Sequence, residues 1–317
     1  MNHKCLYCYG HLLGDGKTDY HEKCSLAFFG SKLAPSLNYS LSDMHELAHS
    51  IVSNHITVPG VQPKLSLSLI DETINKSNLK KLTVVGALGG NYIFKPPSTT
   101  YPEMPANEHL TMRLAEAFGI KTVPSSLIKL NSGELAYITK RIDRTNDGHK
   151  IHMLDMYQIT EAVDKYKSSM ERIGKALSLY STDLLFDALR YFELTLFSFL
   201  TGNNDMHLKN FSMVLSNNQW ELSPAYDLLN VNLANPLDTE ELALTIEGKK
   251  RKLTRQDFEL FGVKLGLNSK QTQNVFERFT KYKTNAKSLI DISFLSQEAK
   301  EKYWDIMQEK YLKMGIS

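Results

Sequence analysis

A short polar stretch, residues 202–211, follows a long apolar segment and is dense in chemically active side chains. It carries a carboxylate at Asp205, an imidazole at His207, an amine at Lys209 and an amide at Asn210. Phosphoryl transfer needs a carboxylate that takes or orients the proton of the attacking hydroxyl, and an amide oxygen that binds the Mg2+ of a nucleoside triphosphate. Asp205 and Asn210 can supply these two groups. A plain polar turn is the alternative, because Asn and Asp are common turn residues.

The spacing of these groups favours the phosphoryl-transfer interpretation. Asp205 and Asn210 stand five positions apart, as the corresponding pair does in the catalytic loop of protein kinases. Seventeen residues after Asn210, Asp227 lies between apolar neighbours, where a kinase carries a second metal-binding carboxylate. The sequence therefore predicts ATP and Mg2+ as cofactors, with Asn210 and Asp227 as the magnesium ligands.

Two upstream segments are candidates for contact with the phosphates of ATP. Gly60 lies in a turn, residues 58–64, that runs directly into an alternating strand at residues 65–69. A glycine-bearing turn before a strand can cover phosphates, and a plain hairpin turn is the alternative. Lys95 closes a predicted strand, residues 91–95, which two prolines end. Its ammonium group is either a phosphate ligand or a solvated edge charge.

A helix after residue 106 is predicted to supply a partner for Lys95. Asn107 is expected to cap it, because apolar residues then recur with helical spacing at positions 110, 114, 117 and 118. Glu108 would fall in its first turn, where the helix dipole favours a carboxylate whatever its function. Glu108 is thus either the ion-pair partner of Lys95 or only a helix-start acid.

All three cysteines lie near the start of the chain, as Cys5-x2-Cys8 and as Cys24, which follows His21 in a second pair. Two such pairs offer four zinc ligands, and zinc would hold together a segment too small to bury a core. The sequence therefore predicts that Zn2+ binds this segment. Reduced thiols that pack as small hydrophobic side chains are the alternative.

The composition is that of a globular protein with one large or two medium cores, since 42% of its 317 residues are hydrophobic and 23% are charged. A formal net charge of +2 is too balanced to favour nucleic acid or a membrane as a direct partner. No charged and then apolar leader opens the sequence, and its most apolar run, residues 194–200, is too short to span a bilayer. A cytoplasmic location is expected, and export by another kind of signal stays open.

The elements that would position these residues change type along the chain. A β-hairpin is predicted for residues 127–130 and 135–139, and the charged cluster at residues 140–144 is either a solvated face or a hinge. Beyond it the periodicity is helical, above all from residue 181 to residue 200, where a buried apolar stripe is expected to begin at Leu185.

These signals predict an α+β, two-lobed kinase-like fold. A zinc-knuckle-like segment is expected at residues 1–30, a β-containing N-terminal lobe with the phosphate-covering loop at residues 31–140, and a mainly helical C-terminal lobe with the catalytic loop at residues 141–317. Ser42 and Thr254 are predicted to cap two further helices.

Six short motifs, in this order along the chain, resemble the HipA family of bacterial toxin serine/threonine kinases from about residue 50 to the C-terminus. They are Gly60-Val61-Gln62-Pro63-Lys64, Phe94-Lys95, Asn107-Glu108-His109, Lys140-Arg141-Ile142-Asp143-Arg144, Asn204-Asp205-Met206-His207-Leu208-Lys209-Asn210 and Tyr226-Asp227. The resemblance implies a kinase that uses ATP and Mg2+ to phosphorylate an aminoacyl-tRNA synthetase. Charged tRNA then falls, and growth stops until an antitoxin intervenes.

The resemblance also implies roles for individual residues. Lys95 would hold the phosphates, Asp143 would bind the ribose, and Asp205 would be the catalytic base. The remaining residues would lie around the γ-phosphate and its magnesium: His207, Lys209, Asn210 and Asp227.

The sequence departs from the family pattern in two places. The segment Tyr226-Asp227-Leu228 lacks the glycine of a D-F-G switch, and full-length HipA kinases carry an additional N-terminal subdomain for which there is little room here. The chain is therefore similar to the short HipT type. In that type the missing subdomain is a separate small HipS-like antitoxin, accompanied by a DNA-binding HipB-like protein.

Kinases of this family switch themselves off by phosphorylating a serine three residues before the glycine of the phosphate loop. Thr57 occupies that position, and Ser53 is the second candidate. A phosphate there would repel the similarly charged tail of ATP. A simple β-branched residue before a strand is the alternative for Thr57.

Two other classes of function stay open. The pattern Asp205-x-His207-x2-Asn210 is also that of the phosphoinositide-kinase catalytic loop, which would make the chain a lipid or small-molecule kinase, although residues 60–64 argue against this. A non-catalytic pseudokinase is the other class, against which the three intact residues Asp205, Asn210 and Asp227 weigh.

Overall fold

The computed structural model describes residues 3–13, 18–44, 46–47, 64–71, 80–85, 89–98, 100–101, 103–145 and 147–316. The chain forms two compact units, of which unit 1 contains Met1–His109 and Val123–His149, and unit 2 contains Leu110–Thr122 and Lys150–Ser317. The three-segment division expected from the sequence stays a prediction.

Unit 1 is built on a five-stranded antiparallel sheet with the strand order β2-β1-β3-β5-β4. The strands are β1 (Leu65–Asp71), β2 (Lys80–Val85), β3 (Tyr92–Lys95), β4 (Ser125–Lys129) and β5 (Leu135–Lys140). The two strands and the hairpin predicted from the sequence are thereby confirmed. β2 was missed, because a strand that begins with two lysines shows little apolar alternation.

The alternation of leucine and serine along β1 determines which side of the strand is buried. Leu65 and Leu67 are buried, whereas Ser66 and Ser68 between and after them are only half-buried. Gly90, with φ +74°, lets the chain that enters β3 approach this strand closely, since a Cβ there would lie 2.4 Å from the Leu67 carbonyl oxygen. A larger residue at position 90 would therefore disturb the β1–β3 pairing that places Lys95.

The N-terminal segment packs on this sheet. Helix α1 (Glu22–Phe29) follows His21 and ends at Gly30, which has a left-handed φ of 73°. Phe28 and Phe29 are buried, and both rings contact Tyr92 at the start of β3.

Two predicted helix caps are wrong. Residues 41–44 and 46–47 are helical, and Ser40 rather than Ser42 forms the cap, through reciprocal hydrogen bonds with Asp43. Helix α2 (Met104–Ala117) begins three residues before Asn107, which lies buried inside it. Pro105 permits this earlier start, because first-turn N–H groups have no partner within a helix. Glu108 therefore lies beyond the first turn, and the helix dipole does not explain it.

Unit 2 combines a three-stranded antiparallel sheet, of order β6-β7-β8, with helices. Its elements are β6 (Met153–Asp155), α3 (Met156–Ile159), α4 (Met170–Tyr180), α5 (Leu184–Leu200), β7 (Ser212–Ser216), β8 (Gln219–Leu222), α6 (Val231–Ala234), α7 (Arg255–Lys264), α8 (Ser269–Ile292) and α9 (Gln297–Lys313). Thr254 caps α7 as predicted. A β-containing N-terminal part and a mainly helical C-terminal part confirm the α+β class.

Helix α5 is the centre of unit 2. Asp183 caps its start, and most residues from position 187 onward are buried. The predicted stripe begins too early, since Leu185 is 54% exposed. None of the helices in the described ranges is long and apolar enough to cross a membrane.

Candidate active site

The loop that follows α5 turns at Gly202, where φ is +67°. The Gly202 carbonyl accepts hydrogen bonds from the backbone N–H groups of Val231 (3.0 Å) and Asn232 (3.2 Å). A Cβ at position 202 would lie 2.9 Å from Asn230 Oδ1 and 3.0 Å from Asn232 Oδ1. Both the conformation and the close approach require glycine, so this turn fixes where the polar loop begins.

Asp205 and Asn210 are held against each other within this loop. Asn210 Nδ2 donates to the Asp205 carbonyl at 2.9 Å, across the 3-10 turn Leu208–Asn210. The Asp205 carboxylate accepts a hydrogen bond from the Tyr166 hydroxyl at 2.8 Å. The hydrogen bond from Nδ2 fixes the orientation of the Asn210 amide group. Its oxygen, Oδ1, accepts no hydrogen bond from the described residues.

His207 lies buried between the two predicted functional residues. Its ring packs edge-on against Tyr166, with ring centroids 5.0 Å apart. Burial lowers the pKa of His207, and the charges of Asp205 and Asp227 oppose that effect only in part. The imidazole is therefore neutral near pH 7. Its Nδ1 atom is buried and has no hydrogen-bond partner within the described part of the chain.

Tyr226 fixes the far end of the loop. Its hydroxyl donates to the Lys209 carbonyl at 2.9 Å and lies 2.5 Å from the hydroxyl of Ser212 in β7. Burial raises the pKa of Tyr226, so it stays protonated as a donor. The exposed Lys209 ammonium lies 4.8 Å from the centroid of the Tyr157 ring.

Asp227 follows Tyr226 directly and adopts a left-handed backbone conformation, with φ +60°. Such a conformation costs about 1–2 kcal/mol for most L-residues and less for Asp. Burial raises the pKa of Tyr166, and the charges of Asp205 and Asp227 add to that effect. Both carboxylates also act on His207. Asp205, His207 and Asp227 therefore lie in one electrostatic neighbourhood around Tyr166.

The donor set of this loop fits magnesium. The Asn210 amide oxygen and the Asp227 carboxylate are hard oxygen ligands, which Mg2+ prefers, and it keeps several waters beside one or two protein ligands.

Unit 1 contains a buried ion pair between two other predicted residues. Lys95 Nζ, at the end of β3, lies 2.6 Å from Glu108 Oε1 in α2. Their side chains are only 5% and 2% exposed. Lys95 Nζ also lies 5.4 Å from the centroid of the Tyr137 ring. The structure thus brings Lys95 and Glu108 together, as the ion-pair interpretation predicts.

Asp143 lies in a different environment from the one expected of a ribose ligand. Arg141 donates from Nε to Oδ1 at 2.8 Å and from Nη2 to Oδ2 at 2.5 Å. These hydrogen bonds lower the pKa of Asp143. Its ribose contact stays a prediction, and it would compete with this two-pronged contact.

The remaining predicted residues fall into two groups. Gly60, Thr57 and Ser53 lie outside the described residues. Cys5, Cys8, His21 and Cys24 converge in unit 1, with ligand atoms all within 4.8 Å of one another.

Sequence reasoning missed the functional contacts of two tyrosines. Tyr226 belongs to a motif noted in the sequence, but nothing in the neighbouring residues indicates that its hydroxyl would bond to Lys209 and Ser212. Tyr166 precedes Asp205 by 39 residues, and only the fold brings its hydroxyl to the carboxylate.

Comparison with known proteins gives a consistent relationship. The sequence pattern of the HipA-like C-terminal domain matches residues 56–286. A candidate kinase of Haemophilus influenzae is 28% identical over 272 residues, which cover 76% of this chain and 77% of that protein. The serine/threonine-protein kinase toxin HipA of Shewanella oneidensis is 27% identical over 214 residues, 61% of this chain and 47% of that protein. The match thus spans about half the length of the Shewanella protein.

Solved structures show the same fold. The Shewanella oneidensis HipA in complex with HipB and its operator DNA superposes with a TM-score of 0.67, at 22% identity, over 82% of this chain and 66% of that chain. The Helicobacter pylori proinflammatory kinase CtkA gives a TM-score of 0.52, at 16% identity, over 70% of this chain and 87% of that chain. The predicted kinase-like fold is thereby confirmed.

Proposed function

The chain belongs to the family of HipA-like C-terminal domains, and from this premise we propose that it is a serine/threonine-protein kinase of a toxin–antitoxin system. It transfers the γ-phosphate of ATP to a hydroxyl group of a protein. The observation that carries the proposal is that Tyr166 holds the Asp205 carboxylate while Asn210 Nδ2 donates to the Asp205 backbone carbonyl, which leaves the Asn210 amide oxygen for a metal ion.

Each residue of the loop has a defined task in this reaction. Asp205 accepts the proton of the attacking hydroxyl, and the hydrogen bond from Tyr166 keeps the carboxylate in one orientation. Asn210 and Asp227 would hold Mg2+, which would neutralise charge on the phosphates. Neutral His207 adds no positive charge that would pair with Asp205, while Lys209 supplies an exposed ammonium for the γ-phosphate.

Lys95 and Glu108 form the pair that orients the triphosphate in this proposal. A lysine that pairs with a helix glutamate is the arrangement protein kinases use to hold the α- and β-phosphates. A buried glutamate fixes the long lysine side chain, so less conformational entropy is lost when ATP binds. Gly60 would belong to the loop that covers the phosphates.

The proposed substrate is an aminoacyl-tRNA synthetase. The proposed partners are a small HipS-like antitoxin and a DNA-binding HipB-like protein, without direct contact of this chain with nucleic acid or membrane. Support comes from the relationship to the Shewanella HipA, which is named a toxin kinase and forms a complex with HipB and operator DNA.

The test is incubation of the purified chain with γ-labelled ATP and Mg2+ in three parallel series of acceptors. One series contains bacterial aminoacyl-tRNA synthetases, one contains phosphoinositides, and one contains no acceptor. Label in one synthetase supports the proposal. Label in a lipid only would assign the chain to the phosphoinositide-kinase class, and ATP turnover in none of the series would assign it to the pseudokinases.

Self-phosphorylation is the second part of the proposal. Thr57, or Ser53 instead, is the acceptor, and its phosphate repels the triphosphate and ends activity. Mass spectrometry after incubation with Mg-ATP would locate the phosphate in the wild type, in Thr57→Ala and in Ser53→Ala. An active enzyme with no phosphate between Ser50 and Gly60 would refute this switch.

A further inference from the structure

We propose that Cys5, Cys8, His21 and Cys24 bind one structural zinc ion. The four ligand atoms, three thiol sulfurs and one imidazole nitrogen, all lie within 4.8 Å of one another. Three cysteines and one histidine are a ligand set of structural zinc sites, which are four-coordinate and tetrahedral. The site is independent of the proposed kinase chemistry.

The distances fit a tetrahedral ion. Zn–S bonds of about 2.3 Å and Zn–N bonds of about 2.0–2.1 Å place a sulfur and a nitrogen ligand about 3.6 Å apart. His21 Nδ1 lies 3.4 Å from Cys8 Sγ and 3.8 Å from Cys24 Sγ. These two sulfur–nitrogen distances therefore differ from the tetrahedral value by only a few tenths of an ångström.

The imidazole of His21 is already oriented as a ligand. Its Nε2 lies 3.0 Å from the carbonyl oxygen of His11. A carbonyl oxygen can only accept, so Nε2 carries the proton and Nδ1 presents its lone pair toward the sulfurs. A hydrogen bond from the second ring nitrogen to a carbonyl is the usual support of a zinc-binding histidine.

The backbone around the first two cysteines forms the tight turn that such a site needs. Cys5 N–H donates to the Gly10 carbonyl and Tyr9 N–H donates to the Cys5 carbonyl, both at 2.9 Å. Tyr9 has a left-handed φ of +64°. A Cβ at Gly10 would lie 3.3 Å from Cys8 Sγ and 3.2 Å from His21 Cε1, so glycine leaves room for the ligands.

The alternative, thiols that pack as small hydrophobic side chains, does not explain these contacts. Cys8 and His21 are only half-buried, and an imidazole nitrogen is directed at two sulfurs. Hydrophobic packing needs neither feature.

The ion would connect the N-terminal segment to two elements of unit 1. The Leu6 carbonyl, between the first two ligands, accepts a hydrogen bond from Leu127 of β4 at 3.2 Å. The Tyr9 hydroxyl lies 3.0 Å from His109 Nδ1, in the residue after Glu108. Loss of the ion should therefore loosen the support of α2 beside the Lys95–Glu108 pair.

The experiment measures metal in the full chain rather than activity, so its outcome does not depend on the proposed kinase function. The chain is purified without chelator, and zinc is determined by atomic emission. Apo protein is then titrated with Co2+, which gives intense thiolate-to-metal charge-transfer bands when cysteines coordinate it. The variant His21→Asn is compared with His149→Asn, which replaces an exposed histidine outside the cluster.

We expect one zinc per chain, thiolate-to-cobalt bands, and a lower melting temperature when a strong chelator is added. His21→Asn should lose most of the zinc, whereas His149→Asn should retain it. A wild-type chain without zinc, with freely reactive thiols and no cobalt charge-transfer bands, would overturn the proposal. The cobalt titration of the wild type decides the matter even where His21→Asn fails to fold.

Discussion

The buried ion pair between Lys95 and Glu108 allows the sharpest perturbation of the fold of unit 1. Lys95 and Glu108 are 2.6 Å apart and almost fully buried. Lys95→Met and Glu108→Leu each remove one charge and preserve much of the side-chain volume. Either single substitution removes the opposite charge that lies 2.6 Å from the remaining buried group, whereas the double substitution places two apolar side chains at these positions.

The size of each effect is limited by the ordinary pKa of the group left behind. An isolated lysine, with a pKa of about 10.4, can lose its proton at pH 7 for about 4.6 kcal/mol, and a glutamate, with a pKa of about 4.3, can gain one for about 3.7 kcal/mol. Both values agree with the cost of about 3–5 kcal/mol for breaking a buried ion pair. The double variant should lose far less stability than the two single variants together.

Urea unfolding followed by far-ultraviolet circular dichroism at pH 7 measures these free energies. The matched control is the exposed pair Lys302 and Glu298, also 2.6 Å apart, whose apolar variants should show little coupling. Additive effects of the two single substitutions at the buried pair would refute the account of a buried ion pair. All three variants at the buried pair should be inactive, including the stable double variant.

Three further predictions concern the loop in unit 2. Asp227→Gly should abolish phosphoryl transfer, because it removes the proposed metal-binding carboxylate while glycine still adopts φ +60° without strain. Asn218→Gly, at φ +61°, should retain activity, and equal activities of the two variants would contradict this. Tyr226→Phe should cost about 1–3 kcal/mol in urea unfolding and lower turnover, since the hydroxyl of the buried Ser212 and the Lys209 carbonyl lose their partner. An unchanged unfolding midpoint would argue against that role. Since burial lowers the folded-state pKa of His207 from 6.5, its stabilising effect should be present above about pH 6.5 and be lost as the pH falls below it, where the unfolded state takes up a proton first. Unfolding at pH 7.5 and 5.5 should show a larger loss in the wild type than in His207→Gln, and parallel losses would exclude a neutral buried imidazole.

The residues with the strongest local signals were predictable from sequence. The polar run from Asp205 to Asn210 interrupts an apolar region, and Lys95 stands where two prolines end a strand, so both positions follow from pattern alone. The pairing of Lys95 with Glu108 was one of two alternatives that the sequence left open, and the helix that carries Glu108 begins at Met104 and not after Asn107.

What sequence could not predict depends on contacts between distant segments. The hydrogen bond from Tyr166 to Asp205 joins residues 39 positions apart. The left-handed conformation of Asp227 has no signature in the sequence, because aspartate adopts both ordinary and left-handed backbone conformations. Leu185 was expected in the core because it continues the apolar periodicity of α5, but it is exposed. Periodicity alone does not show which turns of a helix are covered by other elements.

The most direct test of the central claim is the rate of γ-phosphate transfer from ATP by Asp205→Asn. This substitution preserves size and removes the base, so the account predicts an intact fold and a rate lower by about a thousandfold or more, which corresponds to about 4 kcal/mol on the barrier. Asp291→Asn, an exposed aspartate on α8, should transfer phosphate at the wild-type rate. Near-normal transfer by Asp205→Asn, or no transfer by the wild type to itself or to any synthetase, would contradict the account.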